Sequence, residues 1–453
     1  MISRRPSVTA TLLRYLATAS KHRMMYPAEH PLVRRAMEDL VQVVDLLLRD
    51  REAVTFQIHE DTFFLDNVML PEESLRNASL LTTCLEREIG LFQIRRGIPV
   101  EEIDSFVGLL TTPAQAVHAA GGPLAVLQSK GGSHIAIEPP RQTRPAETEI
   151  EVDPSNAYQA GHTVVHVLRA QAARRQPLDM NKARVFLSAA IEVVLDNRFT
   201  LLGLTANRDY DEASSYHAVN VSILALLVGL RLGLQHDQLM ALGMGALLHD
   251  IGKVRVPQSL INRAGTLTED ERAILQRHPV HGGSILRDMD GLGRLAAVVA
   301  LEHHAHYDLS GYPTLAGKEH PNVFARIVAV VDAYDTVTCA RPHATRPLRP
   351  ELGMKWIAAG LGTVFDPAVG KVFLKMMGIY PVGSLVELSN GRLGIVRRPS
   401  EQSVDRPLVR LVRDGTLDEV VDLTVDTSLW ITGGADPEDV GVDLAALHQQ
   451  TTT

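Results

Sequence analysis

Histidine and aspartate residues that could bind metal ions recur through the middle of the chain. The segment ALLHDIGKVRVP, residues 246–257, ends an apolar stretch and then places His249 beside Asp250. One histidine at the end of an apolar helix is more often a packed or capping residue than a ligand. This pair is accompanied by five further candidate ligands in or beside segments with helical patterning: His217, His278, His303, His304 and Asp332.

Asp332 is the residue that argues most strongly for a bound cation. It lies in a largely apolar segment, Ile327–Val337, and a buried carboxylate is unfavourable unless it is paired or bound to a cation. Seven ligands exceed what one tetrahedral ion needs, whereas two ions about 3.5–4 Å apart could share them through a bridging carboxylate. Imidazole and carboxylate donors without thiolate suit iron, manganese or zinc. The residue types therefore predict two divalent ions.

The composition limits the classes of partner. With 45% hydrophobic and 22% charged residues the chain has the composition of a soluble globular protein, and its net charge of -8 argues against a nucleic-acid surface. The longest central apolar run, Val221–Leu230, is shorter than the roughly 20 residues of a membrane helix and predicts a core helix. Cys84 and Cys339 suggest no disulfide framework. We therefore expect a cytoplasmic protein without nucleic-acid or membrane partners.

The N-terminal part alternates helical and strand-like patterning. The spacing predicts helix over 8–48 and two short strands, Thr55–Ile58 and Thr62–Leu65, around a tight turn. Further predictions are helices over 72–89, 101–111 and 121–129 and a strand over 134–137. We therefore predict a mixed helix-and-hairpin α+β domain over 1–137. A linker rich in proline and charge follows over 138–156.

Helical patterning dominates residues 157–379 and predicts an all-helical domain. It includes a capping box, Thr268 with Glu271, to which we assign a purely structural role. Residues 380–435 are predicted to form a small β-barrel with Trp430 near its closing edge, and 436–453 a tail. The predicted strands are Leu385–Leu388, Leu393–Val396, Leu408–Val412 and Val420–Val425, with hairpin turns at Asn390-Gly391 and Asp414-Gly415. The fold class predicted for the whole chain is mainly α.

An ordered set of motifs resembles the HD-GYP family of cyclic dinucleotide phosphodiesterases over roughly residues 157–380. HDIGK, the HP at His278, the His303-His304 pair and SGYP follow one another as they do in that family. The resemblance implies an HD-type helical domain and seven metal ligands: His217, His249, Asp250, His278, His303, His304 and Asp332. It implies substrate contacts from Lys253, Gly311, Tyr312, Pro313 and Arg341, the last within ARPHA at 340–344.

The resemblance also implies a reaction, the hydrolysis of cyclic di-GMP to linear pGpG and onward to GMP. Asp250 and Lys253 would be the catalytic residues: Asp250 would bridge two ions, with iron or manganese favoured, and a hydroxide bound between them would attack phosphorus. Lys253 would stabilise charge on the phosphate or leaving oxygen. Two alternatives stay open at this point. One is another cyclic dinucleotide, such as cyclic GMP-AMP, as substrate; the other is a signalling protein that binds nucleotide without turnover.

Several positions depart from the family pattern. Ala213 stands where some members carry a glutamate that helps to hold a third metal, so two metals are expected. Ala305 replaces the glutamate after the histidine pair, and Leu309 replaces a glycine, which would strain the loop if its φ is positive. Ala344 replaces a basic residue, for which Arg346 could substitute. The first domain resembles the leader of some members, and we predict a sensory or dimerising role, with a homodimer or protein partner.

Overall fold

The protein is described from a computed structural model that covers most of the chain. The described residues are 6–27, 29–59, 62–66, 68–129, 132–140, 151–205, 213–263, 265–289, 292–339, 347–400, 402–413, 416–437, 439–443 and 447. The chain divides into two compact units, Met1–Ala160 and Gly161–Thr453. The finer domain boundaries given above stay predictions.

The first unit packs helices against one six-stranded sheet. Its strand order is β5-β4-β1-β2-β3-β6, and all neighbours are antiparallel except the parallel pair β3 and β6. The elements are α1 (Pro6–Met25), α2 (Pro31–Leu48), β1 (Ala53–His59), β2 (Thr62–Leu65), β3 (Val68–Leu70), α3 (Pro71–Arg76), α4 (Ala78–Glu86), β4 (Leu91–Arg95), α5 (Val100–Thr111), α6 (Ala114–Ala119), α7 (Pro123–Gln128), β5 (Ile135–Glu138) and β6 (Glu151–Val152).

The predicted strand pair is confirmed. β1 and β2 are antiparallel neighbours with Phe56 opposite Leu65. Along β1, buried residues alternate with partly exposed ones, because successive side chains of a strand point to opposite faces. Phe56 stacks on Phe92 of β4 with ring centroids 5.0 Å apart, which places aromatic side chains in the core between the sheet and the helices.

The helix predicted over 8–48 is two helices. α1 ends at Met25 and α2 begins at Pro31. Pro27 and Pro31 explain the break, since proline lacks the backbone N–H that a helix interior needs and disfavours helical backbone in the residue before it. The 3.6-residue spacing of apolar positions continues on both sides of the break and so did not reveal it.

The second unit is mainly helical, and the unit boundary falls inside α8. Its described helices are α8 (Pro154–Ala173), α9 (Met180–Thr205), α10 (Ala213–Arg231), α11 (His236–Leu248), α12 (Gln258–Ile261), α13 (Glu269–Leu275), α14 (His278–Leu286), α15 (Leu292–Glu302), α16 (Val323–Thr338), α17 (Pro350–Ala359) and α18 (Pro367–Met377). A short 3-10 turn, Ile251–Arg255, follows α11. The capping box of Thr268 and Glu271 is confirmed at the start of α13.

Helix α10 forms the centre of this unit. Val221, Ile223, Leu224, Leu226 and Val228 are each at most 1% exposed, which confirms the prediction of a core helix. Among the helices of the described residues, none is long and apolar enough to cross a membrane.

The C-terminal strands form an open five-stranded antiparallel sheet. Its order is β10-β9-β8-β7-β11, with β7 (Leu385–Leu388), β8 (Leu393–Arg398), β9 (Leu408–Arg413), β10 (Thr416–Asp422) and β11 (Ile431–Gly434). The hairpin at Asn390-Gly391 is confirmed, since Gly391 has φ +79° and joins paired strands. Asp414-Gly415 lies outside the described residues.

The closed β-barrel that we predicted is not observed. In the described residues, β10 pairs only with β9 and β11 only with β7, so the two edge strands do not meet. Most of β10 is partly or fully exposed, and Trp430 beside β11 is 54% exposed. Alternating apolar residues identify strands, but they do not determine whether the outer strands pair with each other.

Candidate metal centre

The seven predicted ligands come from five segments that meet at one place in the second unit. α10 supplies His217, the end of α11 supplies His249 and Asp250, and α14 begins at His278. His303 and His304 follow the last residue of α15, and Asp332 lies in α16. Their nitrogen and oxygen atoms form overlapping groups in which all candidate ligand atoms lie within 4.8 Å of one another. The structure therefore brings together all seven predicted residues.

Asp250 lies between two groups of imidazoles. Its Oδ2 is 3.4 Å from His249 Nε2 and 3.8 Å from His217 Nε2. Its Oδ1 is 3.2 Å from His278 Nε2 and 3.9 Å from His303 Nε2. Each carboxylate oxygen thus faces its own pair of histidines, as a carboxylate that bridges two ions requires.

Asp332 completes the first group and also faces His304. Its Oδ1 lies 3.0 Å from His217 Nε2 and 3.7 Å from His249 Nε2. Its Oδ2 lies 4.0 Å from His304 Nδ1. The first group is therefore His217, His249 and Asp332, and the second is His278, His303 and His304, with Asp250 between them.

The backbone sets the orientation of three of the imidazoles. A carbonyl oxygen only accepts a hydrogen bond, so a ring nitrogen beside it carries the hydrogen and the other nitrogen of the neutral ring keeps a lone pair. The Nδ1–carbonyl pairs are His249 with Ala246 O at 2.7 Å, His278 with Leu275 O at 2.8 Å, and His303 with Ala300 O at 3.0 Å. All three Nε2 atoms are therefore directed into the centre, and each offers a lone pair when its ring is neutral.

This arrangement of lone pairs fits a metal. His278 Nε2 and His303 Nε2 are 3.3 Å apart, where two lone pairs would repel each other. Two nitrogens bound to one ion at about 2.1 Å, with an angle near tetrahedral or octahedral, would be about 3.0–3.4 Å apart. In addition, His249 Nε2 and Asp250 Oδ1 are buried and make no hydrogen bond within the described part of the chain. A bound cation would satisfy both atoms.

Mutual attraction keeps the carboxylates ionised despite their burial. Burial alone would raise the pKa of Asp250, but Lys253 and His249 hold that pKa well below its usual range. Burial likewise opposes ionisation of Asp332, and the hydrogen bond from His217 with the nearby histidine charges brings its pKa well below normal. For His249, burial would lower the pKa, but Asp250 and Asp332 raise it.

The second group contains histidines that stay neutral. Burial, with repulsion from neighbouring imidazoles, brings the pKa of His303 well below its usual range. Burial is also the main reason why the pKa of His304 falls to about 3. Neutral imidazole is the form that binds a metal, so this side of the centre is prepared for a cation near pH 7.

A further carboxylate, Asp335, supports His217 and was missed by the sequence reasoning. Asp335 is 3% exposed, and its Oδ2 is 2.6 Å from His217 Nδ1. Asn220 Nδ2 donates to the other oxygen at 3.1 Å. The pair fixes the His217 ring with Nε2 towards Asp332, a common support for metal-binding histidines. The available signal was its position three residues after Asp332, on the same face of an apolar helix.

Gly252 brings the 3-10 turn against α14. A Cβ built on Gly252 would overlap the backbone oxygen of His278 and the backbone nitrogen of Gly282. The HDIGK motif therefore needs glycine at this position for close packing of two backbones. The same contact fixes the distance between the segment that carries Asp250 and the helix that carries His278.

Comparison with known proteins identifies the family. The family model described as HD domain matches residues 193–369. A cyclic di-GMP phosphodiesterase of Pseudomonas aeruginosa is 33% identical over 328 residues, which cover 72% of this chain and 77% of that protein. The chain belongs to the HD-GYP family.

Other members of the family match shorter parts of the chain. The cyclic di-GMP phosphodiesterase response regulator RpfG of Xanthomonas campestris is 34% identical over 203 residues, 44% of this chain and 53% of RpfG. The 3'3'-cGAMP-specific phosphodiesterase 2 of Vibrio cholerae is 35% identical over 130 residues, 28% of this chain and 24% of that protein. Relatives named for two different cyclic dinucleotides therefore resemble this chain.

The loop that carries the GYP signature folds back on the histidine pair. Gly311 N donates to Ala305 O at 3.2 Å, and Tyr312 N donates to His304 O at 2.9 Å. A Cβ on Gly311 would overlap His304 O, so the glycine is required for packing. The Tyr312 ring lies 4.8 Å from the His304 ring, and a cis peptide bond joins Tyr312 to Pro313. Burial raises the pKa of Tyr312, whose hydroxyl therefore stays protonated.

Some of the residues that differ from the HD-GYP family pattern lie in this loop. Leu309 has φ +65° and His306 has φ +60°, so the leucine that replaces the family glycine adopts left-handed backbone. Ala305 is 1% exposed. Ala213 is the first residue of α10. Arg341, Ala344 and Arg346 lie outside the described residues, so the contact predicted for Arg341 stays a prediction.

Proposed function

We propose that this HD-GYP protein is a metal-dependent phosphodiesterase that hydrolyses cyclic di-GMP to linear pGpG and onward to GMP. The observation that carries the proposal is Asp250, whose two oxygens face separate groups of buried histidines. Relatives named as cyclic di-GMP phosphodiesterases support this substrate. The HD domain implies divalent metal binding, and the donor set fits it.

The two groups of ligands would hold two ions. His217, His249 and Asp332 would hold one, His278, His303 and His304 the other, and Asp250 would contact both. When bound, such a pair supplies a strong nucleophile near neutral pH and positive charge for the phosphoryl oxygens. Donors limited to nitrogen and oxygen favour iron or manganese, which we propose as the resident metals.

Lys253 is placed to bind a negatively charged group of the substrate. It lies one turn after His249, its side chain is 19% exposed, and its Nζ forms an ion pair with Asp250 Oδ2. A cation bound to Asp250 would neutralise the carboxylate and weaken its ion pair with Lys253. The ammonium group of Lys253 could then bind an anionic partner. We propose that Lys253 then contacts the phosphate or the departing oxygen, where its charge stabilises the negative charge that develops.

The GYP loop would form the wall of the substrate site. Tyr312 presents a half-buried ring beside His304, and its protonated hydroxyl can donate a hydrogen bond. We propose that Tyr312, with Gly311 and Pro313, positions a base or ribose of the dinucleotide. Arg341 would supply a guanidinium to a phosphate or a guanine, a geometry that suits its planar fork.

A second candidate substrate is cyclic GMP-AMP. Two observations favour it. One relative is named for 3'3'-cGAMP, and Leu309 and Ala305 replace family residues in the loop that would contact the bases. Incubation of the purified, metal-loaded protein with either dinucleotide under matched conditions separates the two candidates. We expect a higher kcat/KM for cyclic di-GMP. A higher value for cyclic GMP-AMP would reassign the substrate, and binding of both without turnover would favour a non-catalytic signalling protein.

We propose a regulatory role for the first unit. This unit precedes the one that carries the candidate metal centre, and it would sense a signal, form a homodimer or bind a protein partner. We also propose a cytoplasmic location, with which the use of only two cysteines, Cys84 and Cys339, far apart in the sequence, is consistent. Size-exclusion chromatography with light scattering tests the dimer, because a monomer at all accessible concentrations would exclude it.

A further inference from the structure

A group of basic side chains beside the candidate metal centre has no role in the chemistry above. Arg277 precedes α14, and His281 lies one turn into that helix on the same face. Arg255 ends the 3-10 turn, and its Nη1 lies 3.4 Å from Ser284 Oγ, one turn further along this face of α14. We call Arg255, Arg277 and His281 the basic cluster.

The packing holds the basic cluster close to the metal ligands. Gly252 brings the 3-10 turn into backbone contact with α14 at His278 and Gly282. His281 is three residues from His278, which corresponds to about 4.5 Å along the helix axis. The cluster therefore lies on the same two segments, the 3-10 turn and α14, whose first residues border Asp250 and include His278.

The charges of the cluster are not balanced by acids. Within the part of the chain that the structure describes, no carboxylate lies within ion-pair distance of Arg255, Arg277 or His281. Burial and the charges of the two arginines lower the pKa of His281, so its imidazole is neutral near pH 7 and the positive charge of the cluster comes from Arg255 and Arg277. Lys253, by contrast, is paired with Asp250. In a chain of net charge -8, an unneutralised group of this kind beside a phosphodiesterase centre is suited to an anion.

We propose that the basic cluster binds the second phosphodiester of the cyclic dinucleotide while the first is positioned for hydrolysis at the metal ligands. This inference rests on the proposed function. A cyclic dinucleotide carries two phosphates in one ring, so the phosphate that does not react stays near the centre and keeps its negative charge. Arginine donors in a planar fork match phosphate oxygens, and His281 can add a further donor.

Kinetics on two substrates test the cluster. Cyclic di-GMP has two phosphodiesters, whereas bis(p-nitrophenyl) phosphate has one. For Arg255→Ala and Arg277→Ala in the full-length, metal-loaded protein we expect the KM for cyclic di-GMP to rise about tenfold each, because each loses a charged hydrogen bond. The kcat/KM for bis(p-nitrophenyl) phosphate should change less than about twofold. Arg255→Lys, which keeps the charge but loses the fork, should give a smaller rise.

Arg287→Ala is the matched control. Arg287 caps the end of the same helix, is 75% exposed and pairs with Asp288, so its loss should leave both substrates unaffected. An unchanged KM for cyclic di-GMP in both cluster variants would overturn the inference, as would an equal loss with the two substrates. A parent protein that cleaves bis(p-nitrophenyl) phosphate but not cyclic di-GMP would instead refute the proposed function, and the inference with it.

Discussion

At the scale of single residues, the centre depends on which nitrogen or oxygen atom of each side chain faces inward. Backbone carbonyls hold Nδ1 of His249, His278 and His303, so each Nε2 is directed inward. Asp250 then lies between the histidine groups with one oxygen towards each. The histidines need no rearrangement to bind a cation, because the fold has already set their ring orientation and tautomer.

Asp335→Asn tests the support of His217. The amide keeps the size of the side chain but loses the charge that holds the Nδ1 hydrogen of His217. We expect metal affinity to fall about 10- to 100-fold, as measured by competition with a chelator. Asp288→Asn, at an exposed position, is the control and should retain the affinity of the parent. Unchanged affinity in Asp335→Asn would show that the carboxylate does not support the ligand.

His304 gives the centre a pH dependence in the metal-free protein. The unfolded chain protonates this histidine near pH 6.5, whereas the folded chain does so near pH 3 because the group is buried. Between these values the unfolded state holds the extra proton, so the contribution of His304 to the free energy of unfolding falls as the pH is lowered. Histidine-selective nitrogen NMR should find His304 neutral at pH 5. Titration near pH 6.5 would contradict this expectation.

The sequence predicted which residues meet at the centre but not their support. Asp332 could be recognised because a carboxylate in an apolar helix is costly unless it is paired or binds a cation, and His217 and His278 by their order in the motif set. Asp335 and Asn220 are equally buried, yet their role depends on the rotation of α16 against α10, which no local pattern encodes. The sequence predicted strain at Leu309 only if its φ were positive. It could not predict the φ itself, because the backbone conformation of a loop is set by its contacts.

At the scale of elements, ligands lie at helix ends and beside short connections. The end of α11, the start of α14 and the end of α15 carry five of the seven predicted ligands: His249, Asp250, His278, His303 and His304. Helix ends have backbone groups without partners inside the helix, and at such ends the free carbonyls accept from the imidazoles. Close contact of these ends therefore sets the distance between the two groups of predicted ligands.

Gly252→Ala should disrupt that contact. The added methyl group would overlap the backbone of His278 and Gly282, which cannot move aside as a side chain can. We expect loss of hydrolysis and a decrease of several kcal/mol in the free energy of unfolding, measured by denaturation. Gly203→Ala in α9 is the matched control, because a Cβ there meets no atom within 4 Å and alanine favours helix by about 0.5–1 kcal/mol. Wild-type activity in Gly252→Ala would refute the close packing.

Leu309→Gly should relieve strain in the GYP loop. Leucine at φ +65° costs roughly 1 kcal/mol relative to glycine, so the variant should unfold at a higher temperature. Leu309→Ala keeps a Cβ at the same φ and should show no comparable gain. If the two variants have equal melting temperatures, the backbone at Leu309 is not strained.

At the scale of the whole molecule, the arrangement of elements was predicted better than their pairing. Apolar spacing identified the core helix α10 and most strands of both sheets, because these signals are local in sequence. The strands β3, β4, β6 and β11 were not predicted. The break between α1 and α2 and the open edge of the C-terminal sheet depend on prolines and on distant pairing, and both differ from the prediction. The division near Gly161 places the whole metal centre in the second unit.

Metal content per chain tests the central claim that Asp250 joins two metal sites. Elemental analysis of anaerobically purified protein should give two divalent ions per chain, and Asp250→Ala should lose both together with cyclic di-GMP hydrolysis. Glu271→Ala, which breaks the capping box of α13 and costs about 1 kcal/mol, should keep both ions and activity. A parent that purifies with one ion or none after metal supplementation, or an Asp250→Ala variant that keeps two, would contradict the account.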